Sequence, residues 1–357
     1  MYESVFYSYN SEGGVALGRN VSIVSIAEKL GISASEVSRA FKEGYPMNAE
    51  KRELIKKTAA EMGYIRNEAA SRLTMKPLRF CVICSSDIPE FDRELMKGYR
   101  EAERVYHAYK LIMTYESLRG NTAEEYSESL ISTLEKICES EYDAVIISAG
   151  FEGVDPIVKK YADRIKIALV NFDVQDSGRV FAAVNDTGAV ARIAAQILGT
   201  SGGKCAVFTG IKGHWTHRNI LENFRNAAKT SGLDIACVYH SASEDEMRRQ
   251  VREAFEKHPD ITSVYSTSVL SVPICEYINE NGLKGKVRVV ASDVYERLGK
   301  YILDGTVCAT LYQNPAWQTY TAVEAMYRHI VQGVTPCERM VAKPEIVIAA
   351  NIDLYMK

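Results

Sequence analysis

Between Val21 and Met62 the apolar residues recur every three to four positions, the period of a helix that buries one stripe. Ile23, Ile26, Ala27 and Leu30 form such a stripe, with Ser22 before it as an N-cap and Gly31 after it as a stop. Ser33 caps a second short helix, "ASEVSRAF", after a tight turn. Asn48 caps a third, "AEKRELIKKTAAEMG", expected to turn Leu54, Ile55, Ala59 and Met62 inward and to end at Gly63. Two helices joined through a glycine turn are the helix-turn-helix pattern. The second helix keeps Val37, Ala40 and Phe41 for a shared core and leaves Ala34, Ser35, Ser38 and Arg39 outside. Short polar side chains at a helix start can approach base edges and phosphates, and an arginine can hold guanine O6 and N7 through two hydrogen bonds. The same pattern also suits a plain solvated helix in a three-helix bundle.

"YIRNEAASRLTMKP", Tyr64–Pro77, reads as a helix of about two turns, capped by Asn67 and ended before Pro77. A helix this short is unstable alone, because nucleation is costly and few hydrogen bonds follow it. Leu73 has no local core. In a dimer, two such helices could pack together on DNA and push their leucines between base steps in the minor groove. The other reading is a linker with a stray leucine.

Beyond Pro77 the pattern becomes apolar runs alternating with helical stretches. "RFCVIC" precedes a helix at roughly 91–107, "KLIMTY" a helix at 121–140, and "DAVIIS" a short helix near 155–163, before "KIALVNF". The series restarts with "FAAV", a helix at 186–200, "KCAVFTG", a helix at 216–231, "DIACVYH", a helix at 244–257, "ITSVYST", a helix at 272–281, and "KVRVVASD". Alternation of this kind predicts parallel sheets with crossover helices. Two series of one rhythm predict two similar subdomains, with a ligand cleft where the loops after strand ends converge.

Composition adds a division of charge. The whole chain has a net charge of −3, yet residues 21–79 hold 11 Lys and Arg against 7 Asp and Glu, a net of +4. Residues 1–20 carry −1, which leaves −6 for the remainder. A basic front piece on an acidic body points to a polyanion partner for the front piece alone. At 357 residues, two or three domains are expected. Residues 1–20 show no period and read as a disordered extension, or as a start codon set too early. With no signal peptide or apolar run near 18 residues, and with Cys81, Cys205 and Cys308 inside apolar runs, a reduced, cytoplasmic protein without a membrane segment is expected.

Catalytic and metal readings find little. No GxGxxG opens a helix after a strand, and "GTSGGKC" lacks the spacing and the Ser or Thr after Lys204 that a phosphate loop needs. "CVIC" has CxxC spacing, but side chains three apart on a strand face opposite sides. "GHWTH" places His214 and His217 three apart with no carboxylate or cysteine close in sequence, so polar cleft-edge residues are expected there rather than a metal site. No enzyme activity, cofactor or metal is expected.

"VSIVSIAEKLGISASEVSRAF" with "GYPMNAEKRELIKKTAAEMGYIRNEAASRL" resembles the DNA-binding head and hinge of the LacI/GalR family of bacterial transcription regulators. The resemblance implies base reading by Ala34, Ser35 and Arg39, and capping or phosphate contacts at Ser22, Ser33, Ser38 and Asn48. It implies hinge packing at Ala69 and Ala70 and a minor-groove wedge at Leu73. Two residues depart from the family pattern. Glu36 stands where Thr is common and would repel phosphate unless it points away or accepts from cytosine N4. Arg66 replaces a usual proline.

From about 79 to 357 the chain resembles, more weakly, the type I periplasmic sugar-binding fold that these regulators carry, in its ribose-binding-like branch. The matching stretches are "VNDTGAVARIAAQIL", "GIKGHWTHRNILENFRNAA", "VVASD" and "DGTVCATLYQNPAWQTYTAVEAM". The implied organisation is a head at 21–66, a hinge at 67–78 and a body at 79–357. In the body, one subdomain would span about 79–182 and 313–340, the other about 183–312 and 341–357. The resemblance places Phe91 and Asp92 in the first strand-to-helix loop, Ser148 after the third strand and Asp173 after the fourth. Arg218 takes the place of a sugar-gripping arginine, while Asp293 and Gln313 take hydrogen-bonding positions. Trp215 would add a stacking wall or cover the surface. Where the family shows an Asn-Asp pair, this chain reads "TSVL", Thr267–Leu270, with Ser268 the polar candidate, and Val174 stands where an arginine is usual. A ligand smaller, less hydroxylated or differently charged than ribose is therefore expected. The implied function is a dimeric regulator, a repressor, that binds a pseudo-palindromic double-stranded DNA operator and answers to a sugar or polyol. A body that answers to a protein partner is the alternative, and a DNA-tethered sugar-modifying enzyme is a third.

Overall fold

The structure is a computed structural model that describes residues 21–41, 45–62, 64, 76–84, 89–118, 120, 122–200 and 202–356. The extension 1–20 and the expected hinge residues Asn67, Ala70 and Leu73 lie outside the described residues. The chain divides into two compact units, residues 1–74 and 75–357.

In the first unit, α1 (Ile23–Leu30) starts at Ser22, whose Oγ accepts from Ser25 N at 3.2 Å, and stops at Gly31 in the left-handed region, φ 66°. Helix α2 (Ala34–Ala40) starts at Ser33, whose Oγ accepts from Glu36 N at 3.1 Å. Helix α3 (Ala49–Glu61) starts at Asn48, whose Oδ1 accepts from Lys51 N at 3.1 Å. Each side-chain oxygen satisfies an amide that the helix itself leaves unpaired. Ile26, Ala27, Val37, Ala40, Ile55 and Ala59 meet in a small buried core, edged by Phe41 and Tyr64 with ring centroids 5.5 Å apart. Leu54, expected inward, is 55% exposed. Ile55, Thr58, Ala59 and Met62 share one helical stripe, and a residue 100° before Ile55 falls outside it. Arg52 ties the turn between α2 and α3 by donating from Nη1 to Ala40 O at 3.0 Å.

The second unit holds two six-stranded sheets. The first contains β1 (Leu78–Cys84), β2 (Leu111–Ser117), β3 (Ala144–Ser148), β4 (Lys166–Val170), β5 (Phe181–Asn185) and β11 (Arg339–Ala342), in the order β11-β5-β4-β3-β1-β2. The second contains β6 (Gly203–Thr209), β7 (Leu233–His240), β8 (Ile261–Ser266), β9 (Arg288–Ser292), β10 (Ala309–Tyr312) and β12 (Glu345–Val347), in the order β12-β10-β9-β8-β6-β7. All recorded pairings are parallel except β10 with β12. Central strands such as β3 are buried at every residue, as parallel strands covered by helices on both faces must be.

The first lobe carries α4 (Pro89–Tyr106), α5 (Ala123–Cys138), α6 (Val154–Ala162) and α12 (Pro315–Gln332). The second carries α7 (Thr187–Gly199), α8 (Trp215–Thr230), α9 (Glu244–Lys257), α10 (Val272–Glu280) and α11 (Glu296–Leu303). The chain passes between lobes three times: after β5, between β10 and α12, and between β11 and β12. Beyond the ninth strand, "KVRVVASD", the apolar pattern predicts no elements, where the structure has α11, β10, α12, β11 and β12. These late strands are three or four residues long, and β11 is exposed at three of its four positions, so alternation has no room to show. Helices α4 and α12 approach so closely that a Cβ on Gly98 would lie 1.9 Å from Ala316 O.

Candidate functional site

In the first unit the helix-start groups are exposed or nearly so. Ser35 and Arg39 are exposed, Ala34 and Ser38 half-buried, and Ser22, Ser33 and Asn48 exposed caps. The Arg39 guanidinium lies 5.4 Å from the centroid of the Tyr45 ring. Glu36 is committed elsewhere. Its Oε2 accepts from Ser33 N at 3.1 Å and its Oε1 from Lys51 Nζ at 2.6 Å. The Lys51 hydrogen bond, then the Ser33 amide, hold its carboxyl below the ordinary range. Its charge is therefore compensated by Lys51 on α3.

In the second unit a cavity, partly open to solvent, lies where the carboxyl ends of both sheets face each other. Phe91, Ser148, Gly150, Asn171 and Asn185 line it from the first lobe. Ile211, His214, Thr216, His217, Thr267, Ser268, Val269 and Asp293 line it from the second, with Gln313 at the crossover. The lobes are joined across it. Thr216 Oγ1 donates to Asn171 O at 2.8 Å, Trp215 N donates to Gly150 O at 2.9 Å, and Arg297 Nη1 donates to Glu90 Oε1 at 3.4 Å.

The two lobes repeat one device at this wall. Asn171 follows the fourth strand of the first sheet and Asp293 follows the fourth of the second. Both have left-handed backbones, φ 67° and 60°, and each donates its N–H at 2.9 Å to the adjoining fifth strand, to Ala183 O and Leu311 O. Asn and Asp tolerate this conformation better than other non-glycine residues. It turns the chain sharply as it leaves the strand and brings both short polar side chains to the cavity.

Five of the expected ligand residues line the cavity: Phe91, Ser148, Ser268, Asp293 and Gln313. Phe91 sits in the first turn of α4 rather than in a loop and packs on apolar clusters of both lobes. Ser148 Oγ is 2.6 Å from Tyr99 Oη. The other four do not line it. Asp92, one residue on along α4, lies off the wall. Burial, then its charge, push the Cys84 thiol up to about 12. Trp215, expected either as a stacking wall or as surface cover, packs against the apolar core of the first lobe. Asp173 is buried in a two-pronged ion pair with Arg179, so its charge is already matched within the protein. Arg218 is exposed, because at 100° per residue Thr216 and His217 take the inward face of α8 and Arg218 turns outward.

The lining residues that the sequence did not single out are chiefly neutral and polar: Asn171, Asn185, Thr216 and Thr267, while the histidine pair, expected at the cleft edge, lines the cavity too. His214 and His217 stand with ring centroids 4.8 Å apart. Burial pushes the His214 imidazole down to about 4, while burial, then the neighbouring His214, push His217 down to about 3. Both rings are therefore neutral at pH 7. The "GHWTH" spacing was the one signal for them. His217 packs on Gly210, where a Cβ would lie 2.4 Å from Nε2. Burial pushes the Asp293 carboxyl up to about 7, against the opposing hydrogen bonds from Gln313. Among the described residues no group of three or more His, Cys, Asp or Glu could hold a metal ion.

Residues 80–333 match the family model described as a periplasmic binding protein domain. The chain belongs to the periplasmic binding protein domain family. Its body is the type I α/β form with two parallel-sheet lobes. A glucose-galactose binding protein, GanP, from Geobacillus stearothermophilus has a TM-score of 0.69 at 20% identity, over 78% of this chain and 99% of that one. A structure from Bacteroides fragilis described as a LacI transcriptional regulator has a TM-score of 0.69 at 18% identity, over 78% and 100%. Among curated relatives, the HTH-type transcriptional regulator AglR of Rhizobium meliloti (strain 1021) is 28% identical over 284 residues, 74% of each chain. Other similar folds are solute-binding proteins of transporters, two in complex with D-arabinose and one with bound myo-inositol. Among the described residues no helix is long and apolar enough to cross a membrane.

Proposed function

We propose that this protein is a sequence-specific DNA-binding transcription regulator, a repressor, whose body binds a small ligand in the interlobe cavity. The observation that carries the reading is the joining, in one chain, of a basic unit of three capped helices to a periplasmic-binding body with a polar-lined cavity between its lobes. A sugar-binding transporter protein has use for the second alone. The 28% identity to an HTH-type regulator over most of both chains supports the same reading.

On this reading α1 and α2 form a helix-turn-helix, and α2 enters the major groove with Ser35 and Arg39 toward the bases. The caps Ser22, Ser33 and Asn48 stand near phosphates. Two copies present their heads to the halves of a pseudo-palindrome, and Leu73, assigned by the resemblance, wedges the minor groove. Ligand binding changes the balance between open and closed lobes, and that difference in affinity couples to the head by a few kcal/mol, about the range of allosteric coupling.

The test starts from operator sequences selected out of random duplexes by the full-length protein. Arg39→Ala should lower affinity for the selected site by about tenfold or more, as losing a two-bond base contact does. The melting of the body should be unchanged. Selection that yields no preferred sequence, or equal binding by the variant, sinks the reading.

A further inference from the structure

Among the described residues the cavity wall is rich in acceptors and has no cation. Both oxygens of Asp293 accept from Gln313 alone among the described residues, from N at 3.1 Å and from Nε2 at 3.4 Å. No Lys or Arg lines the cavity among the described residues. Arg179, one candidate, is taken by Asp173, and Arg218, the other, is in solvent. Glu94 adds further negative potential at Asp293. The two histidines supply no charge at neutral pH, since burial holds both imidazoles neutral.

Several polar atoms of the wall are also unpaired. Gln313 Oε1, Asn171 Oδ1 and His214 Nδ1 are buried without a hydrogen-bond partner. Two of the three are oxygens that can only accept. Asn171 Nδ2 is an unpaired donor beside them. The Phe91 ring stands on the same wall, and the face of an aromatic ring attracts cations. A buried carboxylate without a counter-charge is costly, and so are buried acceptors left empty. A cationic donor on the ligand relieves both.

On the reading that this cavity holds the effector, we propose that the effector carries a protonated amine: an amino sugar or amino polyol. Its ammonium sits against Asp293 and the unpaired amide oxygens, and its hydroxyls meet Asn171 Nδ2 and Ser148. A neutral sugar would fill the space but leave Asp293 uncompensated. A sugar acid would bring like charge against it.

The test uses the full-length protein and matched probes by calorimetry at pH 7: glucose, glucosamine and gluconate; galactose, galactosamine and galacturonate; and myo-inositol against an amino-inositol. At least one amine should bind about tenfold or more tighter than its neutral partner, the scale of one charge-assisted hydrogen bond. Asp293→Asn should weaken that amine by about 30-fold while moving the neutral partner by less than about threefold, because only the charged partner loses its counter-ion. Asn171→Asp, which keeps the shape, suits the left-handed backbone and adds a carboxylate to the same wall without touching the Asp293–Gln313 bonds, should tighten the amine, so the proposal does not depend on one variant folding. Preference for a neutral sugar or an acid, an amine preference that survives Asp293→Asn, or no binding by any probe overturns it. The regulator reading fails separately. A neutral sugar that binds the body and changes operator affinity would end the amine proposal and leave the regulator intact.

Discussion

Replacing Asp293 by Asn should make the ligand-free body more stable at pH 8 and change it much less at pH 5. Asp293 is 4% exposed, and burial lifts its carboxyl from 3.8 to about 7. The folded state thus holds the proton more tightly than the unfolded chain. Its contribution is complete below the unfolded value, declines as pH rises from 3.8 to about 7, and is fully lost above that. The gap of about three units corresponds to about 4 kcal/mol. Asparagine has nearly the same shape, never ionises and can still accept from Gln313 N. Its amide adds a donor that faces Gln313 Nε2, which costs about 1–2 kcal/mol. A net gain of about 2 kcal/mol at pH 8 is therefore expected, falling toward zero or below at pH 5.

The assay is urea unfolding of the full chain at both pH values, with the variant-minus-wild-type difference taken for the body transition. His214 and His217 also oppose folding as pH falls through the ordinary histidine range, because burial depresses both. They are common to both proteins and cancel in the difference. If wild type and variant lose or gain stability in parallel from pH 5 to 8, Asp293 is not a buried uncompensated acid and the charge reasoning fails.

Gly98→Ala should destabilise the first lobe by about 3 kcal/mol in thermal or urea unfolding, since its Cβ meets backbone on α12 rather than a movable side chain. Asp173→Ala should cost about 3–5 kcal/mol, because Arg179 would remain buried without its partner. Calorimetry with any bound ligand should then show affinity within about threefold of wild type, a shift under about 0.7 kcal/mol; a larger loss would put Asp173 in the site after all. Gly210→Ala should displace the His217 ring and lower ligand affinity at least about tenfold, with a smaller effect on melting. Unaltered affinity would show that the histidine wall does not touch the ligand.

Much of the chain was legible from local pattern. The caps Ser22, Ser33 and Asn48 and the stop at Gly31 are each settled by residues within three positions of one another. Alternating apolar runs and helical stretches located β1 through β9 and the helices between them. What depends on distant partners was not legible. Leu54 and Ile55 are equally apolar, and the fold of three helices decided which one faced the core. Asp173 looked like a ligand group because the family resemblance places one after the fourth strand. The turn at 174–178, with positive φ at Asp176 and Gly178, brings Arg179 back to neutralise it.

The sequence by itself determined where helices and strands begin as far as the ninth strand, the division into a basic head and an acidic body, and the repeated α/β rhythm. Those follow from short-range hydrogen bonding, side-chain periodicity and summed charge. Only the tertiary structure decided which polar groups meet at the cavity and in what state of charge. Strand order places Asn171, His217 and Asp293 together from positions far apart in the chain. Their burial then sets their protonation, a property of surroundings that no run of residues contains.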